Sequence, residues 1–138
     1  MSRLSTLEDL QERIDRAPFN RFIGLTVTEI TDAGITLRIP VREEVLGHAT
    51  MGMLHGGVMA ALIDTAGCYA VCAHTGKAVA TVDMRIDYHL PATGPDLIAR
   101  SEFLHRGKSL STSEVRVHDN GGRLVASGRV VCIIIKTP

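Results

Sequence analysis

Aromatic residues and net charge are scarce in this sequence. The chain has no tryptophan, two tyrosines and three phenylalanines among its 138 residues, which argues against a site built on stacked rings. Fifteen Lys and Arg residues balance fifteen Asp and Glu residues, so the formal net charge at pH 7 is zero. Without a basic surplus, the chain is not expected to bind nucleic acid or an anionic membrane.

Cysteine is also rare, and there is no long apolar run. The cysteines Cys68, Cys72 and Cys132 are odd in number, and the N-terminal residues do not have the charged and then apolar pattern of a secretion signal. These features predict reduced thiols and a cytoplasmic protein. The longest fully apolar stretch, residues 130–135, is too short to cross a bilayer. No second cysteine pair accompanies Cys68 and Cys72, so no metal site is expected.

What the sequence does contain is 45% hydrophobic residues, enough to form one core. We therefore expect a single domain over residues 1–138, in which residues 1–19 form an N-terminal helix and a linker. Ser5 and Glu8 have the spacing of a capping box at the start of that helix, and Pro18 marks its end.

The apolar residues alternate along much of the remaining chain. Alternation from Phe22, with a turn at residues 32–34, predicts a hairpin. A long apolar helix then begins near Gly56 or Gly57 and ends near Gly76. Four strands follow, at residues 81–90, 97–104, 109–117 and 124–135. An apolar helix of this length has to be covered by the sheet, so the expected fold class is α+β, an antiparallel sheet wrapped around a long central helix, with the last four strands in a meander.

A single carboxylate interrupts the long apolar helix. Asp64 lies within the stretch MLHGGVMAALIDTAGC, where burying an unpaired carboxylate would cost roughly several kcal/mol. Asp64 could hydrogen-bond a neighbouring backbone or hydroxyl group, for example near Thr65, and only specify packing. Alternatively, it is a general base or nucleophile in an apolar cleft. The residues at the start of the helix favour the second interpretation.

The segment His55-Gly56-Gly57 lies where this helix begins. Glycines there leave the first backbone N–H groups open to a ligand carbonyl or anion, although a glycine pair alone is more often only a tight turn. Nine residues separate His55 from Asp64, which is roughly 13 Å along one helix and too far for both to act on one carbonyl. If both are catalytic, the active site has to combine two subunits, which a two-fold dimer does twice.

Four elements of the sequence together carry a family resemblance. They are LHGG at 54–57, Asp64, TVDMRIDYHLPA at 81–92 and HRGK at 105–108. As a set they resemble the hotdog-fold thioesterases of the 4-hydroxybenzoyl-CoA thioesterase superfamily, specifically the phenylacetate-degradation (PaaI-like) branch, over nearly the whole chain. The resemblance implies a hotdog fold and an acyl-CoA thioesterase without a cofactor, which hydrolyses an acyl- or aryl-acyl-CoA to the free acid and coenzyme A.

The resemblance also implies catalytic roles. Asp64 would activate water or attack the thioester carbonyl, and the Gly56 amide would stabilise the oxyanion. His55 would orient the carbonyl or support the loop, and Thr81 matches a position whose hydroxyl helps to place the attacking water. Many relatives have Asn or Gln six residues before the His, where this chain has Ala49, so one positioning amide is missing.

For the coenzyme A part of the substrate, the resemblance implies contacts with Gly57 and with Arg106, Gly107 and Lys108 in a strand connection. Arg106 and Lys108 suit phosphate groups. The implied assembly is a homodimer that completes the active site, and by analogy with relatives a homotetramer. Two alternatives stay open: a non-catalytic acyl-CoA-binding or regulatory protein, and a hotdog hydratase or dehydratase.

Overall fold

The computed structural model describes residues 4–136, which form three α-helices, one short 3₁₀ helix and eight strands. The helices are α1 Leu7–Asp15, α2 Pro18–Ile23 and α3 Gly56–Thr75, with the 3₁₀ helix at Glu43–Val45. The strands are β1 Thr26–Thr31, β2 Gly34–Pro40, β3 Leu46–His48, β4 Met53–Leu54, β5 Val79–Tyr88, β6 Asp96–Arg106, β7 Leu110–Asp119 and β8 Leu124–Ile134.

The N-terminal residues form two helices instead of one helix and a linker. The hydroxyl of Thr6 accepts a hydrogen bond from the Asp9 amide, and the Asp9 carboxylate accepts one from the Thr6 amide. The predicted capping box is therefore present, one residue later than expected. α1 ends before Pro18 as predicted, but Pro18 begins α2, because the first helical position needs no N–H donor. The strand predicted from Phe22 begins at Thr26 instead.

Six of the strands form one antiparallel sheet in the order β1-β2-β6-β7-β8-β5. The strands β6, β7 and β8 are a meander, as predicted. The prediction of a four-strand meander is wrong at β5, which pairs with β8 and lies at the edge of the sheet. Alternation indicates which residues form a strand but not which strand they pair with. Within residues 4–136, the second edge of β5 has no partner strand.

The sheet packs around α3, which contacts β2, β5, β6, β7 and β8. Leu62 and Ile63 of α3 are completely buried, and a Cβ atom at Gly67 would lie 2.6 Å from Val130 of β8, so glycine is needed for this close approach. The helix ends at Gly76 with a φ of 69°, as the sequence predicted. By length and composition α3 could cross a membrane, but most of it is buried inside the fold, as in the core helix of a soluble protein. The predicted α+β fold is confirmed.

The segment between β2 and α3 contains the 3₁₀ helix and the two-stranded β3–β4 sheet. The His55 amide donates a hydrogen bond of 2.9 Å to the Val45 carbonyl. A Cβ atom at Gly47 would lie 3.0 Å from the His55 Cα, so the two backbones are in close contact. These contacts fix the position at which α3 begins.

Candidate active site

Asp64 and Thr81 are in direct contact. Asp64 is partly buried on α3, and its Oδ1 accepts a hydrogen bond of 2.6 Å from Thr81 Oγ1 on β5. Its Oδ2 accepts no hydrogen bond within residues 4–136. Thr65 is not the partner that the packing interpretation named, because its hydroxyl donates to the Ala61 carbonyl. One carboxylate oxygen is therefore held by Thr81, while the other is open to water or substrate.

Two cysteines adjoin this pair. Cys68 lies one turn after Asp64, with its sulfur 3.0 Å from Thr81 Oγ1 and 3.9 Å from Asp64 Oδ1. A disulfide joins Cys68 to Cys132 of β8, the residue paired with Thr81 in the sheet. The prediction of reduced thiols is therefore wrong for this pair, while Cys72 is a buried free cysteine. The bonded residues are 64 positions apart in the sequence, and only the tertiary fold brings them together.

The start of α3 presents one open amide, not two. His55 is the N-cap residue, and its Nδ1 accepts a hydrogen bond of 2.8 Å from the Gly57 amide. The Gly57 amide, predicted to contact coenzyme A, is therefore already used. The Gly56 amide makes no hydrogen bond within the described part of the chain, and the Tyr88 hydroxyl donates to the Gly56 carbonyl at 2.7 Å. Gly56 is thus the better oxyanion donor of the two glycines.

Gly56 and Asp64 open into different cavities of the same chain. Gly56 lines a cavity of about 280 Å³ together with Met59 and Tyr88. Asp64 and Thr81 line another of about 340 Å³. This separation agrees with the distance estimated from the helix rise, so one subunit does not present both groups to a single carbonyl.

The predicted coenzyme A contacts at the β6–β7 connection divide into two places. The guanidinium of Arg106 packs over the Phe103 ring, 5.1 Å from its centroid. The Gly107 amide donates to the Leu110 carbonyl at 2.9 Å, so this amide is occupied by the turn. Lys108 instead lines a separate cavity.

That cavity, of about 370 Å³, contains three lysines: Lys77, Lys108 and Lys136. Lys77 follows α3 and Lys136 follows β8. Apart from their charge, no sequence pattern indicates that these two lysines lie beside Lys108. Three cations around one cavity can bind phosphate groups.

Three further lining residues of the Asp64 cavity were also missed: Arg13, Asn20 and Tyr69. Arg13 was missed because residues 1–19 were predicted to form only a helix and a linker, while Asn20 and Tyr69 belong to no motif that the sequence analysis used. Within residues 4–136, no group of three or more His, Cys, Asp or Glu side chains is arranged to hold a metal ion.

The family model of the thioesterase superfamily matches residues 51–126. This range contains the start of α3, Asp64, Thr81 and the β6–β7 connection. The chain belongs to the thioesterase superfamily. The predicted family and its hotdog fold are confirmed, and the assignment to the phenylacetate-degradation branch is consistent with the matches.

Several known proteins are similar to this chain over most of its length. Human acyl-coenzyme A thioesterase 13 is 33% identical over 80% of this chain and 81% of its own length. The medium/long-chain acyl-CoA thioesterase YigI of Escherichia coli K12 is 24% identical over 85% of each chain. A thioesterase-superfamily protein of known X-ray structure has 44% sequence identity and a TM-score of 0.89, covering 94% of this chain and 98% of its own.

Proposed function

We propose that this superfamily member is an acyl-CoA thioesterase, which converts an acyl-CoA and water to a carboxylic acid and coenzyme A. The observation that carries the proposal is the Asp64 carboxylate, held by Thr81 at one oxygen and open at the other, beside a cavity that can take an acyl group. Relatives named as acyl-CoA thioesterases support the substrate class. Thioester hydrolysis needs a base or nucleophile at the carbonyl, and Asp64 is suited to that role.

In the proposed reaction Asp64 acts as the general base. The water oxygen attacks the thioester carbonyl carbon while the water proton passes to the carboxylate. The negative charge that develops on the carbonyl oxygen is stabilised by the Gly56 amide at the positive end of the α3 dipole. The C–S bond of the tetrahedral intermediate then breaks as the carbonyl forms again, and the coenzyme A thiolate takes the proton that Asp64 had accepted, which regenerates the carboxylate.

We further propose that a two-fold homodimer completes the site. Gly56 and Asp64 lie in separate cavities and eight residues apart on α3, roughly 12 Å along the helix. An antiparallel arrangement of two α3 helices would bring Gly56 of one chain to Asp64 of the other. The ten-residue edge strand β5 offers a surface for this association, and its side chains Val82 and Tyr88 are more than half exposed.

A homotetramer is also proposed, through the outer face of the sheet. Leu110 of β7 and Ile133 of β8 are paired in register, and each side chain is 41% exposed. Adjacent apolar side chains on a sheet surface favour packing against a second sheet. Sedimentation analysis of Ile133→Lys, with a tetramer expected for the wild type and a dimer for the variant, tests this arrangement.

For coenzyme A we propose that Lys108, with Lys77 and Lys136, binds the phosphate groups of the substrate. The three lysines line one cavity, and ammonium groups bind phosphate as point charges. Arg106 is assigned a supporting role, since its guanidinium is stacked on Phe103.

The cytoplasmic location, inferred from the cysteine count, also stays a proposal. A cytoplasmic thiol pool keeps most cysteines reduced, whereas the structure joins Cys68 to Cys132. Blocking free thiols in intact cells before lysis would show which state the protein has there. Three blocked cysteines per chain are expected in the cytoplasm, and one would indicate an oxidising compartment.

The activity is tested by free-thiol release from short, medium, long and aryl acyl-CoAs. The wild type is expected to hydrolyse part of this panel, and Asp64→Asn should lower kcat by at least about a hundredfold without changing the melting temperature much. An unchanged rate in Asp64→Asn would remove Asp64 from the mechanism. A wild type that binds acyl-CoA and cleaves none of the panel would be an acyl-CoA-binding protein instead.

The proposal that each active site combines Gly56 of one chain with Asp64 of the other is tested with two inactive variants, Gly56→Pro and Asp64→Asn, combined in one dimer. Gly56→Pro removes the proposed oxyanion donor, and proline suits the first position of a helix; the extended backbone of His55 also fits a following proline. Gly56→Ala is the matched control, because it keeps the amide and its Cβ atom would make only ordinary contact with Tyr88, at 3.6 Å.

Co-expression of Gly56→Pro with Asp64→Asn, each with a different affinity tag, yields hybrid dimers. If each site uses Gly56 of one chain and Asp64 of the other, a hybrid has one site with both defects and one with neither. It should recover about half of the wild-type activity. A hybrid as inactive as its two parents would show that each site lies within one chain.

A further inference from the structure

The cavity beside Asp64 extends away from the catalytic carboxylate along one face of α3. Asp64, Cys68 and Cys72 all line it, and their spacing of four residues places them on one side of the helix. The distance from Asp64 to Cys72 is roughly 12 Å along the helix axis. An acyl group whose carbonyl carbon lies at Asp64 therefore has room to extend toward Tyr69 and Cys72.

The far part of this cavity contains a hydroxyl group with a free proton. The buried side chain of Asn20 donates one hydrogen bond to the Ile14 carbonyl, at 3.0 Å, which fixes the orientation of its amide. Its second N–H donates to the Tyr69 hydroxyl at 3.3 Å. The Tyr69 oxygen is therefore an acceptor in this pair, and its own proton has no acceptor within residues 4–136. Burial raises the pKa of Tyr69, so the hydroxyl keeps this proton at neutral pH.

A positive charge lies in the same region. Arg13 of α1 lines the cavity, and its guanidinium donates to the carbonyls of Gly76 and Lys77 at 2.9 and 3.4 Å, which hold it near the end of α3. These bonds leave other guanidinium N–H groups unused, because the group has five. The charge of Arg13 acts on both Tyr69 and Cys72, since it opposes the rise in their pKa values that burial causes.

Among the described residues that line the cavity, no acid lies beside this charge. Of the residues that line it, Asp64 is the only one with a carboxylate, and Asp64 lies at the catalytic end. A saturated hydrocarbon tail would cover the Tyr69 hydroxyl and the Arg13 guanidinium without pairing them, which is unfavourable. An acyl group with a carboxylate at its far end would pair with both donors.

We propose that Tyr69 and Arg13 determine specificity, and that they select acyl-CoAs whose acyl group ends in a carboxylate, that is, the coenzyme A monothioesters of dicarboxylic acids. This inference rests on the proposed thioesterase function and names the substrate class for the same site. The thioester carbonyl lies at Asp64, the methylene chain follows α3, and the terminal carboxylate accepts hydrogen bonds from Tyr69 and Arg13. A site built to hydrogen-bond a polar group discriminates against an analogue that lacks it.

The test compares matched pairs of substrates with the purified, assembled enzyme: succinyl- against butyryl-CoA, adipyl- against hexanoyl-CoA and suberyl- against octanoyl-CoA. The kcat/KM of the dicarboxylyl member is expected to exceed that of its partner by about tenfold in at least one pair. Tyr69→Phe and Arg13→Gln should each reduce that ratio severalfold, because each variant removes a donor that pairs with the terminal carboxylate and that a plain acyl tail leaves unpaired. Arg16→Gln is the matched control, because Arg16 lies on the exposed side of the same helical region, paired with Glu12.

Each outcome separates this inference from the proposed function. If the enzyme hydrolyses the plain acyl-CoAs and shows no preference for the dicarboxylyl substrates, the inference is overturned and the thioesterase function stands. The same holds if a preference exists but Tyr69→Phe and Arg13→Gln leave it unchanged. If ω-hydroxyhexanoyl-CoA is preferred over hexanoyl-CoA as strongly as adipyl-CoA is, the site recognises a neutral hydroxyl group and does not require a carboxylate. No hydrolysis of any substrate overturns both. Arg13 also contacts the end of α3, so Arg13→Gln can lower the melting temperature of the enzyme. In that case the ratio of kcat/KM values measured with Tyr69→Phe decides the test.

Discussion

The hydroxyl of Thr81 donates a hydrogen bond of 2.6 Å to Asp64 Oδ1 and so joins the edge strand β5 to the central helix α3. This contact leaves Oδ2 of the same carboxylate open. We therefore expect Thr81 to position the Asp64 carboxylate for attack on the substrate. Loss of a hydrogen bond to a charged group costs about 1.5–3 kcal/mol, so Thr81→Val should lower kcat by roughly tenfold to a hundredfold.

Thr81→Ser is the matched variant, because it keeps the hydroxyl and loses only a methyl group. It should restore most of kcat, and KM should change little in either variant. Equal kcat values for Thr81→Val and the wild type would show that Asp64 needs no partner on β5.

His55 is expected to act as a helix cap and not as a catalytic group. Its Nδ1 accepts the Gly57 amide at the start of α3, and removing an N-cap side chain typically costs about 1 kcal/mol. His55→Ala should therefore lower the melting temperature, whereas His55→Ser, which supplies another capping oxygen, should keep both stability and most of the activity. A folded His55→Ser enzyme with kcat reduced as far as in Asp64→Asn would show that the imidazole takes part in the chemistry.

The Cys68–Cys132 disulfide is expected to stabilise the fold. It closes a loop between residues 64 positions apart, for which a stabilisation on the order of 2–4 kcal/mol is typical. Addition of a phosphine reductant should lower the melting temperature of the wild type and of Cys72→Ala, which keeps the bond, but not that of Cys132→Ala. Thiol titration of the unfolded protein should find one free thiol before reduction and three after it. Identical melting curves with and without reductant would contradict this expectation.

Lys108 is expected to contribute to binding of the nucleotide part of the substrate. Lys108→Gln should raise KM for an acyl-CoA by about fivefold, which corresponds to roughly 1 kcal/mol for a solvent-exposed ion pair, with little change in kcat. The same acyl group on pantetheine, which lacks the nucleotide, is the control substrate and should show no such effect. A rise of KM for both substrates would place Lys108 outside the phosphate site.

Asp119 is expected to stabilise the β7–β8 hairpin in a pH-dependent way. Hydrogen bonds from the Arg123 amide and guanidinium, and then from the Gly121 amide, hold the pKa of Asp119 below its ordinary value. A lowered pKa in the folded state means that this stabilisation is complete above the ordinary pKa of Asp and is lost as the pH falls through the lowered value.

Asp119→Asn should therefore melt at a lower temperature than the wild type near neutral pH, and the difference should shrink in strongly acidic buffer. Thermal unfolding of both proteins across that range provides the measurement. A difference that is constant with pH would mean that the charge of Asp119 plays no part.

Much of the site could be predicted from short segments of the sequence, because the structure of each segment depends mainly on residues close to it in the chain. The glycines at 56 and 57 and the apolar run after them define the start and the length of α3. Asp64 stands out as the carboxylate within that run. The alternation after α3 indicates the strands, and thereby a sheet that has to cover the helix.

What the tertiary structure alone decided concerns residues that are far apart in the sequence. Four features depend on how the strands and helices pack together. They are the position of β5 at the sheet edge, the Cys68–Cys132 bond, the three lysines around one cavity, and the place of Arg13 and Asn20 in the cavity beside Asp64. The period and spacing of apolar residues indicate which residues are neighbours within one helix or strand, because they reflect the geometry of that single element. Contacts between elements arise from packing of the whole chain, and a single sequence carries no periodic signal for them.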